Sequence, residues 1–146
     1  FKGYWGMEEK NKESFKDDGF FITGDLAKKD ENGYFTIVGR DKDMIISGGL
    51  NVYPKEIEDV INQIPDISES AVIGIIHDDF GEAVVALVIS DNKKLEECYV
   101  LDQLKDKIAK YKQPKKIIFL EELPRNSMGK VQKNILREKY SYLFKG

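Results

Sequence analysis

The stretch Met44-Ile45-Ile46-Ser47-Gly48-Gly49-Leu50-Asn51-Val52-Tyr53-Pro54, continued by Lys55-Glu56-Ile57-Glu58-Asp59-Val60-Ile61, changes its hydrophobic period in mid-course. Residues 44–46 read as a brief strand, and Ser47-Gly48-Gly49 as a turn whose two glycines give the backbone unusual freedom. Pro54 suits the first turn of a helix, where its missing N–H costs nothing, and Ile57, Val60, Ile61 and Ile64 recur at helical spacing. Downstream, residues 70–76 and 83–89 are β-branched runs between polar turns, expected as strands with mostly buried faces. Residues 95–109 predict a helix with Leu101, Leu104 and Ile108 on one core-facing stripe. Residues 117–120 predict another strand, and the polar loop 124–130 leads into a final helix carrying Val131, Ile135 and Leu136. The mixture over roughly 100 residues implies a compact α+β unit.

Upstream the pattern is different. Residues 7–15 are polar and helix-compatible, with Asp17-Asp18-Gly19 as a stop, and residues 20–22 read as a short apolar strand. Asp30-Glu31-Asn32-Gly33 is a turn signal, and residues 34–38 alternate as the returning strand of a hairpin. The charged run Gly39-Arg40-Asp41-Lys42-Asp43 breaks the pattern, which sets a domain boundary near residues 40–42.

Composition narrows the class. The chain has 146 residues, 41% hydrophobic and 34% charged, which suits a soluble globular protein and excludes disordered and fibrous classes. The longest apolar run, residues 83–89, is far short of the ~20 residues a membrane-spanning helix needs. No basic segment followed by an apolar stretch opens the chain, so no signal peptide is visible. A single cysteine, Cys98, cannot form an internal disulfide and suits a reducing cytoplasm, and one cysteine with one histidine disfavours a zinc site. The chain starts at Phe1 rather than Met, within a continuing pattern, so a fragment of a longer protein is expected.

The net charge of −3 hides an asymmetry. Residues 1–104 hold 11 Lys/Arg against 22 Asp/Glu, whereas residues 105–146 hold 12 against 4. The basic end suggests contact with an anion, or a solvated basic face; it is too thin for a nucleic-acid footprint, so a small phosphorylated ligand ranks first.

Three loops carry candidate chemistry. In Thr23-Gly24-Asp25, a carboxylate held by a tight turn after a strand can accept two hydroxyl hydrogen bonds, as from a ribose, or can serve as a cap. Gly39-Arg40-Asp41-Lys42-Asp43 with Gly48-Gly49 reads either as a solvated linker or as a hinge, with Arg40 on a ligand and the glycines admitting a thin substrate arm. In Pro124-Arg125-Asn126-Ser127-Met128-Gly129-Lys130, the lysine is an ordinary surface residue or a mobile ammonium that offsets charge on a phosphoryl group. The cluster Lys105, Lys107, Lys110, Lys112, Lys115 and Lys116 reads as a solvated helix face able to attract phosphates. His77 reads as a surface histidine and Cys98 as an unreactive thiol.

Taken in order, these segments form a joint pattern covering essentially the whole chain. Thr23-Gly24-Asp25, a hairpin, Gly39-Arg40-Asp41-Lys42-Asp43, Ser47-Gly48-Gly49 with Asn51-Val52-Tyr53-Pro54 and Glu56-Ile57-Glu58, and Pro124-Arg125-Asn126 with Gly129-Lys130 and Lys133 resemble the adenylate-forming superfamily. That superfamily contains the acyl-CoA synthetases, luciferases and nonribosomal adenylation domains. The wording of the opening Phe1-Lys2-Gly3-Tyr4-Trp5, of Asp18-Gly19-Phe20-Phe21-Ile22 and of the Pro124 loop is most similar to malonyl-CoA synthetases.

The resemblance implies a small mobile C-terminal domain with a short mixed sheet flanked by helices, preceded by the last hairpin of a large AMP-binding domain. On this basis residues 1–40 end that larger domain, 41–42 are the hinge and 43–146 form the lid. It further implies that Asp25 and Arg40 bind the ribose hydroxyls of ATP. Lys42 would be the hinge residue, Gly48 and Gly49 would line the path of the pantetheine arm of CoA, and Lys130 would contact the substrate carboxylate and the α-phosphate. The implied ligands are a small carboxylic acid, ATP and CoA, with Mg²⁺ held mainly by the N-terminal domain, which would also be the chain's protein partner. No metal site is assigned to this chain, and the phosphate-cradling glycine-rich loop of the superfamily is not in it. The fragment alone is therefore expected to be inactive. Two other readings stand beside this one: an adenylation domain that loads a carrier protein, and a CoA- or protein-binding module without catalysis.

Overall fold

The computed structural model describes residues 2–145. Expectations that touched Phe1, the first residue of the opening motif, and Gly146 lie outside the described residues. The chain begins with a short helix, α1 (Glu8–Ser14), followed by a hairpin of β1 (Asp25–Lys29) and β2 (Phe35–Arg40). A single 3-10 turn, Asp41–Asp43, leads to β3 (Ile45–Ser47), β4 (Leu50–Val52) and α2 (Pro54–Ile61). The long strands β5 (Ile67–His77) and β6 (Gly81–Ser90) follow, then α3 (Glu97–Leu104), β7 (Lys116–Leu120) and α4 (Lys133–Lys139).

The hairpin is a two-stranded sheet of its own, whereas β4-β3-β6-β5 with β7 form a five-stranded sheet. The larger sheet is mixed, because β7 runs parallel to β6 while the other pairings are antiparallel. One edge of β6 is divided between two partners: Gly81 pairs with Ser47 of β3, and residues 85–89 pair with β7. Both faces of this sheet are covered. On one face α2 and α3 bury Ile57, Ile61, Val100 and Leu104 against Val72, Val84, Ala86 and Val88. On the other, α4 buries Leu136 and Tyr140 against Ala71, Ile73, Val85 and Leu87. A strand covered on both faces must be apolar throughout, which accounts for the unbroken run at 83–89. The α+β unit is therefore as expected, and its buried core lies entirely within residues 45–140. No described residue before Ile45 is fully buried, and Trp5, Phe20, Tyr34 and Phe35 are each more than two-thirds exposed.

Four expectations are corrected. Residues 20–22 form no strand: Phe21 makes one isolated bridge to Phe15, and the ladder opens only at Asp25, which pairs with Arg40. Thr23-Gly24-Asp25 therefore leads into a strand instead of following one. The helix expected over 95–109 is confined to Glu97–Leu104. After Leu104 the hydrogen bonds shorten to three-residue spacing at Lys105 and Lys107, which turns the chain so that Ile108 still reaches the core. Val131 precedes α4 and bridges Arg125 instead of lying on the helix. The basic run is not wholly solvated, because Lys112 is 14% exposed and paired with Glu56 at 2.8 Å, while Lys116 meets Glu97 at 2.8 Å.

Those two pairs belong to a wider pattern. Arg125–Glu69, Lys133–Glu58 at 2.6 Å and Arg137–Asp43 at 3.3 Å also join the basic end to the acidic middle of the chain. Much of the charge asymmetry is thus internal complementarity. Glu97 shows its value: one carboxylate oxygen meets Lys116 and the other accepts the Ile117 N–H at 2.9 Å, tying α3 to β7. Burial pushes this carboxyl up, but the bonds from Lys116 and Ile117 outweigh it and hold Glu97 below a glutamate's ordinary 4.5.

Because the folded value is depressed, the stabilisation is present above pH 4.5 and is lost as pH falls through the folded value. Glu97→Gln is expected to cost under about 1 kcal/mol at neutral pH. The gap from the parent chain should close in acid, as read by urea unfolding from pH 7 to pH 3; a gap that is constant across the series would contradict this origin.

Candidate functional site

Register brings the first two motif residues together. Asp25 opens β1, Arg40 closes β2, and the two are direct cross-strand partners. Arg40 Nε lies 2.8 Å from Asp25 Oδ1, and Arg40 Nη1 donates to the Thr23 carbonyl at 2.8 Å. Gly24, at φ +72°, supplies the left-handed step that lets Thr23 Oγ1 accept the Asp25 N–H at 3.1 Å. The second oxygen of Asp25 takes no hydrogen bond from a described residue, and both side chains are partly exposed, so the carboxylate can accept hydroxyl donors.

Lys42 sits at the centre of the 3-10 turn and is exposed. Its two neighbours are anchored to different elements. The Asp41 N–H donates to the Gly24 carbonyl at 2.9 Å, which holds it to the hairpin. Asp43 is paired with Arg137 of α4, which holds it to the larger sheet unit. Lys42 is the one residue between these anchors.

Gly48 and Gly49 form the two-residue turn between β3 and β4, with φ of +58° and +78°. This is the geometry of a type I′ hairpin turn, which glycine adopts without strain. A Cβ on either glycine would meet nothing within 4 Å inside the chain. The space beside them is therefore open to whatever approaches from outside.

Lys130 ends a loop held by its own backbone. Asn126 Oδ1 accepts the N–H groups of Met128 (3.0 Å) and Lys130 (2.9 Å), while the Asn126 N–H donates to the Lys130 carbonyl at 2.9 Å. Arg125 donates to the Gly129 carbonyl at 2.8 Å and is paired with Glu69 of β5. The base of the loop is fixed, yet the Lys130 residue is exposed, and its ammonium makes no ion pair with a described residue. A side chain presented in this way is open to an approaching anion.

These parts are not all assembled in one place. Asp25 and Arg40 line a cleft of about 260 Å³ between the hairpin, α2 and α4, together with Asp43, Pro54, Lys55, Glu58 and Lys133. Lys130 and the two glycines are not among its lining residues. Its charges are mutually paired: Asp25 with Arg40, Glu58 with Lys133, Asp43 with Arg137 and Lys55 with Asp59. A second hollow of about 290 Å³ beside Asp66, Asn92 and Tyr99 contains no motif residue. His77 lies on the surface side of a turn, its Nδ1 accepting the Asp79 N–H at 3.1 Å and its ring against Phe80 and Phe144. Cys98 is exposed, with its nearest polar partner Glu96. Among the described residues no group of three or more His, Cys, Asp or Glu side chains is placed to hold a metal ion.

Residue spacing did not reveal the supports. Asn126 could have been found, since an Asn three residues before a Gly-Lys pair is an Asx-turn signal. Glu58, which accepts the Val72 N–H at 2.8 Å and meets Lys133, and Glu82 look like ordinary helix and strand carboxylates until the fold is known.

The assembled features coincide with a known family. The sequence pattern of the AMP-binding enzyme C-terminal domain matches residues 56–130, and the chain belongs to that family. Its relatives include long-chain-fatty-acid–CoA ligase FadD13 of Mycobacterium tuberculosis, 47% identical over 96% of this chain and 28% of that protein. Malonate–CoA ligase of Arabidopsis thaliana is 41% identical over 94% of this chain and 25% of its own length. The crystal structure of ATP-bound MatB from Rhodopseudomonas palustris superposes with a TM-score of 0.89 at 58% identity, covering 99% of this chain and 29% of that one. Apo MatB from the same organism gives 0.76 at 59% identity and the same coverage. The chain thus spans little more than a quarter of the length of these relatives. No helix among the described residues is long and apolar enough to cross a membrane.

Proposed function

We propose that the chain is the lid and hinge of an ATP-dependent acyl-CoA ligase that forms an acyl-adenylate and then an acyl-CoA thioester. The observation that supports this reading is the placement of Lys42 between an anchor on the Asp25–Arg40 hairpin and an anchor on the unit that bears Gly49 and Lys130. Residues 1–40, whose described members bury no side chain fully, would complete a larger N-terminal domain, with 41–42 as the hinge and 43–146 as the lid. The apolar exposure of Phe20, Tyr34 and Phe35 supports such a covering partner. The difference in TM-score between ATP-bound and apo MatB, at nearly equal identity, supports an arrangement of hairpin and lid that differs between states.

In this reading Asp25 accepts ribose hydroxyls and Arg40 orients it. A carboxylate oxygen of the acid attacks the α-phosphorus of ATP, the bond to the β-phosphate bridge breaks, and pyrophosphate leaves. Lys130 holds the two anions together and offsets charge in the transition state. Rotation about Lys42 then withdraws Lys130 and presents Gly48-Gly49. The CoA sulfur attacks the acyl carbon and AMP leaves. ATP and CoA fit the residues present in part, through an accessible carboxylate and an unpaired ammonium; the triphosphate and Mg²⁺ would be held by the remainder of the enzyme. For the acid we propose malonate or a related short carboxylic acid, supported by the similarity to MatB and to a malonate–CoA ligase. The lone exposed Cys98 suits a cytoplasmic setting.

ATP–pyrophosphate exchange by the full-length protein tests this, with malonate, medium-chain and long-chain fatty acids in parallel, followed by thioester analysis with CoA. Malonate-dependent exchange and malonyl-CoA are expected. Exchange with long-chain acids only would move the substrate, and no exchange with any carboxylate would overturn the ligase reading. The 146-residue chain by itself is expected to release no pyrophosphate; robust release would refute the lid assignment.

A further inference from the structure

The shortest pairing in the large sheet lies next to the glycine turn. β3 meets β6 through the single register pair Ser47↔Gly81, and the turn adds one backbone bond, from the Gly48 N–H to the Phe80 carbonyl at 2.8 Å. Further along the same edge of β6, β7 takes over at Val85, and the Lys115 N–H reaches the Val84 carbonyl at 2.7 Å. Glu82 lies in the gap between the two partners.

Alternation within the β3–β4 hairpin leaves the Ile46 N–H pointing away from β4. With no strand partner there, it donates to Glu82 Oε2 at 2.8 Å. The carboxylate replaces the missing ladder bond, and a hydrogen bond to a charged acceptor is stronger than the neutral one it replaces. Gly74, on the neighbouring strand β5, makes room for it. A Cβ at Gly74 would lie 2.7 Å from Glu82 Oε1 and 3.0 Å from Ile45 Cγ2. No positive φ calls for glycine at this position, so a side chain there would act through space, by displacing the Glu82 carboxylate and pressing on Ile45.

We infer that Glu82 is a positioning residue for the Gly48-Gly49 turn: its carboxylate, admitted by Gly74, clamps β3 and so fixes the face past which the thiol arm must travel. This deepens the ligase reading and rests on it for the thioester step; the clamp itself is independent of that reading. A residue that acts only on this turn should affect the second half-reaction and not the first. A merely structural residue would weaken both.

Two measurements separate these cases. In the 146-residue chain, Glu82→Ala is expected to raise amide hydrogen exchange at Ile46 roughly tenfold, with smaller rises at Gly48 and Gly49. Glu82→Gln keeps a carbonyl acceptor and should restore most of the protection. Gly74→Ala, which displaces the carboxylate without removing it, should reproduce the Glu82→Ala pattern and serves if the latter fails to fold.

In the full-length protein, Glu82→Ala is expected to slow thioester formation from supplied acyl-adenylate roughly tenfold while leaving ATP–pyrophosphate exchange within about twofold. Unchanged Ile46 exchange overturns the clamp. Raised exchange with an unaffected thioester step, or with both half-reactions slowed alike, overturns the positioning role. A parent protein that makes no thioester from any carboxylate would refute the ligase reading instead, with the Ile46 result still deciding the clamp.

Discussion

Replacing Lys130 with alanine in the full-length protein is expected to slow ATP–pyrophosphate exchange about 10²- to 10³-fold, the loss typical of removing one electrostatic contact to a developing charge. Thioester formation from supplied acyl-adenylate should stay within about twofold. The size of the effect follows from presentation. Asn126 and Arg125 fix the backbone of the loop, while the ammonium has no ion-pair partner among the described residues. No internal carboxylate has to be given up when the lysine meets a ligand. Lys130→Arg keeps the charge but not its compact form, and should recover only part of the rate. Rapid-quench measurement of the two half-reactions separately is the check, and equal loss in both would remove the proposed role.

Gly49→Leu should show the opposite split. Thioester formation is expected to fall at least about 100-fold, the scale of a misplaced or obstructed reactant, while adenylation is spared. Two causes must be told apart. The backbone at φ +78° disfavours any side chain by about 1–2 kcal/mol, so even Gly49→Ala carries a cost. Inside the chain, however, a Cβ at Gly49 has open space, so a rate loss that grows from alanine to leucine without a matching loss of stability is expected to come from contact with an external group. Stopped-flow rates for the Ala, Val and Leu series, set beside urea midpoints, separate these contributions. If thioester rate follows stability and not side-chain size, the thiol-path role of Gly49 is wrong.

Period and punctuation made most of the α+β unit legible in advance. The β-branched runs that became β5 and β6, the Pro54 helix start and the glycine turn could all be read because each is specified by local chemistry. β4 was missed because Leu50-Asn51-Val52 is too short to show alternation and gains strand geometry only by closing the turn onto β3. Residues 20–22 were misplaced because Phe20, Phe21 and Ile22 are apolar, yet the segment forms one isolated bridge, Phe21 to Phe15, and not a ladder. Their hydrophobicity lies on exposed surface in this chain, and exposed apolar surface looks like core in a sequence.

Helix α3 came out shorter because its core stripe continues into turns that still bury Ile108. Among candidate site residues, Asp25, Arg40, Lys42, Gly48, Gly49 and Lys130 could be named from their motifs, and register explains why the first two meet. Glu58 and Glu82 could not, since each acts on a backbone N–H distant in sequence.

The cross-chain ion pairs bear on how the protein is made. During synthesis, residues 1–104 carry twice as many acidic as basic side chains, and several of these acids meet their counter-charges only later. The cations that meet Asp43, Glu56, Glu58, Glu69 and Glu97 all belong to residues 112–137, as does the parallel strand β7. The α+β unit is therefore expected to become resistant to protease in one late step, only after α4 has emerged from the exit tunnel.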